Sequence, residues 1–275
     1  MTRFSQRRRV AVTLLTVSVV AVVALHRFLT LLLGRVVFLS GWILLLFMLI
    51  LTAYNARKKL PFLPLKSAET WLQFHIYAGI FAVFLFVLHI NFRLPTGWFD
   101  DILAWLYVLV TLSGFVGLAV SRLLPRRLTA RGGEVLFERI PIIRRQLREQ
   151  AEGLALKSVG EGQAATIAEF YVRDLHDFFM GPRNLWSHLS DDRAPVSRLL
   201  NKVADLDRFL NEQERGVMRQ IADLVRQKDG LDYQYTLQLV LRLWLFVHIP
   251  LTYGLLLWSA LHVVLVYGFS GGAGR

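Results

Sequence analysis

Four of the seven histidines fall into two pairs of equal spacing, His75 with His89 and His248 with His262, each fourteen positions apart inside a strongly apolar stretch. Fourteen helical residues rise about 21 Å and turn about 1,400°, which leaves both side chains of a pair within about 40° of one face. One imidazole of each pair then lies near each membrane surface. Two imidazoles facing one another at the same depth can supply both axial ligands of a haem iron, a ligation that needs no cysteine. The chain contains no cysteine, which excludes disulfides, thiolate iron–sulfur and zinc sites and covalent c-type haem. The competing chemistry for intramembrane histidines is an interhelical hydrogen bond or a proton relay in a haem-free transporter or scaffold.

The elements that must hold these residues are legible in composition. The 275 residues are 55% hydrophobic, and apolar runs occur near 10–33, 36–54, 71–91, 102–121 and 237–268, against about 20 residues needed for one crossing. We expect an all-α integral membrane protein with about five crossings, a helical bundle holding two haems and a helical insertion on the cytoplasmic side. The parts would be 1–121, with crossings one to four; 122–235, a cytoplasmic helical domain; and 236–275, the fifth crossing with its tail. Arg7 to Arg9 ahead of a short apolar core also fit a cleaved signal peptide; the apolar segment that follows at once favours an uncleaved first helix.

Charge location sets orientation and removes another function class. Residues 122–235 carry 19 basic and 17 acidic side chains, and the rest of the chain 13 basic and 3 acidic. The excess of +12 therefore flanks apolar segments, as topology signals do, and offers no nucleic-acid groove. Arg3 with Arg7 to Arg9, then Arg57, Lys58, Lys59 and Lys66, then Arg122, Arg126, Arg127 and Arg131 put the N-terminus and two loops on the cytoplasmic face of an inner membrane, and the C-terminus outside. The third and fifth crossings then run parallel, so His75 shares a depth with His248 near the inner surface and His89 with His262 near the outer.

Between the ligands, Ala78, Gly79, Ala82 and Phe86 on one helix and Thr252, Leu255 and Ser259 on the other leave room for a flat macrocycle close to the backbone. Ser113, Gly114 and Gly117 on the fourth crossing read as close helix packing. Haem propionates favour basic neighbours at the surface, for which Lys66 and Arg242 are the inner candidates and Arg93 the outer one; snorkelling toward the interface explains the same placement. His26 reads as interfacial, with a quinone contact as the lesser option, and His176 and His188 as surface or packing residues. Within the insertion, helical spacing runs through Ala164–Met180, Pro195–Leu210 and Glu212–Lys228. Gly160-Glu161-Gly162 lacks the third glycine and the preceding strand of a nucleotide fingerprint.

With these residues in place, the chain resembles the di-haem transmembrane cytochromes b. His-x13-His on two parallel helices is similar to the cytochrome b of quinol:cytochrome c reductases, and to the ferric reductase and NADPH oxidase membrane domain, whose ligand helices are also the third and fifth. The resemblance covers the stretches around His75–His89 and His248–His262 and the helix order. It implies that these four histidines are the axial ligands of two b-type haems. The chain departs from it in three ways: it ends thirteen residues after His262 without a flavin and nicotinamide domain, it carries a long insertion before the last crossing, and it lacks the Pro-Glu-Trp-Tyr quinol-site motif. The resemblance thus implies that donor and acceptor are quinone or separate redox subunits docking on the inner domain or the outer rim, within a lipid membrane.

Overall fold

The computed structural model describes residues 3–32, 36–59, 68–130, 135–160 and 166–270, and among them every regular element is helical. The chain divides into two compact units, Met1–Leu118 with Trp244–Arg275, and Ala119–Leu243. Lys66 and the side chain of His26 lie outside the described residues.

The first unit is built from α1 (Arg3–Leu32), α2 (Val36–Lys59), α3 (Ala68–His89), the first part of α4 (Trp98–Ala130) and the last part of α10 (Glu212–Ser270). Its core joins Leu44 and Met48 of α2, Phe81, Ala82 and Leu85 of α3, Tyr107 of α4 and Leu255 of α10, with Leu15, Val19 and Val22 of α1 against it. The outward faces are as apolar as the core: Trp42, Leu46, Phe84, Trp105, Leu112, Leu257 and Val264 are all exposed. A helix apolar all round is stable only inside a large core or in hydrocarbon. Helices containing Glu69–His89, Trp98–Thr129 and Glu212–Phe269 are long and apolar enough to cross a membrane, and Arg9–Ala24 and Phe38–Tyr54 form shorter apolar helical stretches. Hydroxyls on these helices bond to the preceding turn, as Thr52 does to the Met48 carbonyl at 2.8 Å and Ser259 to that of Leu255 at 2.8 Å, so they need no water.

The second unit packs Ile140, Ala151 and Ala155 of α5 (Ile140–Gly160), Ile167 and Phe170 of α6 (Thr166–Phe170), Phe179 of α7 (His176–Met180), Val203 of α9 (Ala194–Leu206) and Ile221 and Val225 of α10 into one core. Tyr171–Leu175, between α6 and α7, is a π-helical turn, and α8 is Leu185–Ser190. Lys228 is fully buried beside Asp232; its ammonium also donates to the Gly181 carbonyl at 2.7 Å, while Asp232 accepts the Arg183 backbone N–H at 3.0 Å. These contacts tie the Gly181–Arg183 turn to α10. Burial disfavours charge on both partners, pushing the Lys228 ammonium below and the Asp232 carboxyl above their ordinary values.

Two helices exceed their expected bounds. α4 continues to Ala130 through Pro125, and α10 runs 59 residues without a break, where the sequence pattern separates Glu212–Lys228 from 237–268. Residues 229–236 stay helical because their one breaker, Gly230, costs only about 1 kcal/mol in a helix. Leu231 is buried there, as are Tyr233 and Leu237, which lie one helical turn apart, and Thr236 bonds back to the Asp232 carbonyl at 2.7 Å.

Candidate functional site

His89 and His262 come together in the first unit. Their ring centroids are 6.5 Å apart with the planes at 87°, and both line a cavity of about 580 Å³ that also takes in Arg93, Asp100, Phe86, Tyr107 and Ser259. Local rules place each side chain. His89 is the last residue of α3. The chain leaves the helix through bonds from the Asn91 N–H to the Leu88 carbonyl and from the Phe92 N–H to the Val87 carbonyl, both 3.1 Å, which form a Schellman cap. Asn91 takes the left-handed position of that cap at φ 49°, a conformation Asn tolerates. Phe92 follows at φ 57°, where a bulky residue is strained by about 1–3 kcal/mol. Two left-handed residues in succession turn the chain sharply and bring Arg93 onto the cavity wall.

His89 Nδ1 is 3.3 Å from Ser40 Oγ on α2, and its ring lies over Gly41, where an added Cβ would meet Cε1 at 2.8 Å. His262 Nδ1 is 3.1 Å from Asp100 Oδ1. Asp100 stands in the first turn of α4, where the helix dipole favours a carboxylate. The Phe99 ring stacks on His262 at 6.2 Å and 6°, and on Trp258 at 5.3 Å.

A metal–imidazole bond is about 2 Å, so two imidazoles sharing one metal atom hold their centroids about 6 Å apart, with any angle between their planes. Both Nδ1 atoms are engaged by side chains that orient metal-binding rings in this way. Among the described residues no three His, Asp or Glu converge as a metal site.

At the other level the two histidines have separate surroundings. His248 Nδ1 is 3.1 Å from Ser113 Oγ, and Trp244 stacks on the ring at 5.4 Å while its indole N–H donates to the Ser113 carbonyl at 2.8 Å. Gly117 receives the Trp244 ring, since a Cβ there would fall 1.9 Å from Cζ2. Ser113 and Gly117 are thus a fitted seat for Trp244 and His248, more particular than the close packing expected of them. His75 faces the Tyr54 ring at 5.1 Å, and among the described residues no ring contact joins it to His248.

Of the remaining candidates, Gly79 borders open space, with nothing within 4 Å of an added Cβ, while Ala78 and Ala82 are buried in the core. Arg242 belongs to the second unit, where it pairs with Glu138 and lies 4.1 Å over the Phe137 ring; its hydrogen bond holds the Glu138 carboxyl below the usual range. His188 is a buried packing residue, 3.7 Å from Asp229 and edge-on to Tyr233. Sequence reasoning missed Ser40, Gly41 and Asp100. The one available signal was that Asp100 is among only three acidic residues outside 122–235, with Glu69 and Asp101.

No family model, curated protein or solved structure matches this chain.

Proposed function

We propose that the chain is the di-haem cytochrome b subunit of a membrane oxidoreductase, carrying electrons across an inner membrane between a quinol pool or cytoplasmic donor and a redox partner on the opposite face. The observation that carries the reading is the pair His89 and His262, 6.5 Å apart on one cavity with both Nδ1 atoms engaged. A bound haem supplies a reversible one-electron ferric/ferrous couple in a region where protein and lipid alone carry no current. In this reading His89 and His262 would hold the outer group, and His75 and His248 would hold the inner one. Arg93, on the wall of the outer cavity, offers a cation to propionates, a charge-assisted bond of the strong kind. Phe86, stacked on Tyr107 at 4.1 Å, gives the cavity an apolar wall.

The topology in this reading has five crossings: the three long apolar helices together with α1 and α2, whose apolar stretches are shorter. The N-terminus is inside and the C-terminus outside, following the Lys and Arg distribution. The second unit lies at the cytoplasmic face and docks a redox subunit, and quinone is the alternative partner.

A reduced-minus-oxidised optical spectrum of the purified full chain, with a haem-to-chain ratio, tests the proposal. Two b-type haems in the wild type, one of them lost in His89→Ala and also in His262→Ala, is the expected result. A colourless protein would refute it. The pairs would then be proton-relay or packing residues, a role that the Asp100–His262 contact also suits.

A further inference from the structure

Three of the four proposed ligands have a defined partner at Nδ1, and the partners are not equivalent. Ser40 serves His89 at 3.3 Å, Ser113 serves His248 at 3.1 Å, and Asp100 serves His262 at 3.1 Å. A hydroxyl donates or accepts, so it leaves the tautomer of its imidazole open; an ionised carboxylate only accepts. Facing an ionised carboxylate, a neutral His262 ring donates from Nδ1, which leaves on Nε2 the lone pair that a metal needs. The contact is not a by-product of a crowded acidic surface, because only three acidic residues occur outside 122–235. The adjacent acid, Asp101, is exposed, and its backbone N–H continues the helix to the Gly97 carbonyl at 2.9 Å.

We propose that Asp100 is a positioning residue that fixes the tautomer of His262 and, by making the ring a stronger electron donor, holds the outer iron toward its ferric state. This rests on the haem reading above. Reduction adds one electron to the iron, ferric to ferrous, with no bond formed or broken, and the proton stays on His262 Nδ1. That added electron is opposed by the negative charge of Asp100, delivered through the hydrogen bond to the ligand ring. Hydroxyl partners exert no such opposition at His248. Asp100 therefore biases the one-electron exchange between the levels toward the inner one.

The test is a potentiometric titration of the full-length chain in detergent, followed optically, after the haem-to-chain ratio has been measured. Asp100→Asn should keep two haems and raise one of the two potentials by about 59 mV, a tenfold change in the one-electron equilibrium. Asp100→Glu should lie nearer the wild type, and Asp101→Asn should leave both potentials in place. If the Asp100→Asn chain loses one haem, its recovery in Asp100→Glu upholds the positioning role and continued loss overturns it. Unmoved potentials in Asp100→Asn, or an equal shift in Asp101→Asn, would also overturn it. Haem absent from the wild type would remove the functional reading itself, a result that the ratio separates from failure of the Asp100 role alone.

Discussion

Replacing Gly41 with alanine adds one methyl group at the point where α2 meets the His89 ring. The new Cβ would lie 2.8 Å from Cε1, 3.3 Å from Nδ1 and 3.6 Å from Nε2. Ordinary carbon contacts begin near 3.5 Å, so the ring must retreat by about 0.7 Å. That is several times the tolerance of about 0.2 Å for a metal–ligand distance. The retreat also stretches the 3.3 Å contact with Ser40 beyond hydrogen-bond range. Overpacking costs about 1–3 kcal/mol and the lost hydrogen bond about 0.5–1.5. The better helix propensity of alanine returns up to about 1 kcal/mol. The balance, about 0.5–3.5 kcal/mol, corresponds to a loss of about 2- to 400-fold in affinity for a ligand held by His89. The matched control is Gly254→Ala, whose Cβ meets nothing within 4 Å. Haem-to-chain ratios after prolonged washing should fall toward one in Gly41→Ala and stay at two in Gly254→Ala. Equal retention in both variants, with one haem lost in His89→Ala, would refute the claim that Gly41 sets the position of the ring.

Gly117→Ala puts a methyl group 1.9 Å from Trp244 Cζ2, an overlap that displaces the indole, so thermal unfolding should begin several degrees lower while Gly254→Ala, in open space, unfolds as the wild type does. Lys228→Met leaves buried Asp232 with Arg144, 3.7 Å away, as its remaining cation and should destabilise by up to about 3–5 kcal/mol, with much of that recovered in a Lys228→Met/Asp232→Leu double variant; denaturant titration measures both. Asp174 accepts from Lys202 at 2.6 Å and from Arg173 at 2.7 Å, which holds its carboxyl below the usual value. A depressed folded value means that its contribution is present above the unfolded value of about 3.9 and is lost as pH falls through the folded one. Asp174→Asn should therefore make stability less dependent on pH below about 4, and an unchanged acid limb would argue against the pairing.

The spacing of His75, His89, His248 and His262 was readable because it is a property of single helices, where fourteen residues fix both rise and angle. The partners of those histidines were not. Ser40 and Gly41 sit in an apolar run in which any small residue reads as helix packing, and their role exists only once α2 lies against α3. Asp100 belongs to an outer loop by charge and to a helix start by position, and neither fact names His262 as its contact. The long reach of α10 was hidden by Asp229, Gly230 and Asp232, which look like a linker until Leu231 and Tyr233 are seen to be buried. Arg242 lay at the right distance from His248 in sequence, but Glu138, more than a hundred positions earlier, holds its guanidinium.

The separation of the outer site along the chain has a temporal consequence. The contact between Phe99 and Trp258 spans 159 positions, and at about 5–20 residues per second a ribosome needs about 8–30 s to make that stretch. During this interval α2, α3 and the start of α4 are already synthesised, and His89 can settle against Ser40 and Gly41 with no second imidazole opposite. The final helix closes the site. The His89–His262 pair therefore forms only once α10 has been made, and a nascent chain halted before residue 262 should present His89 alone.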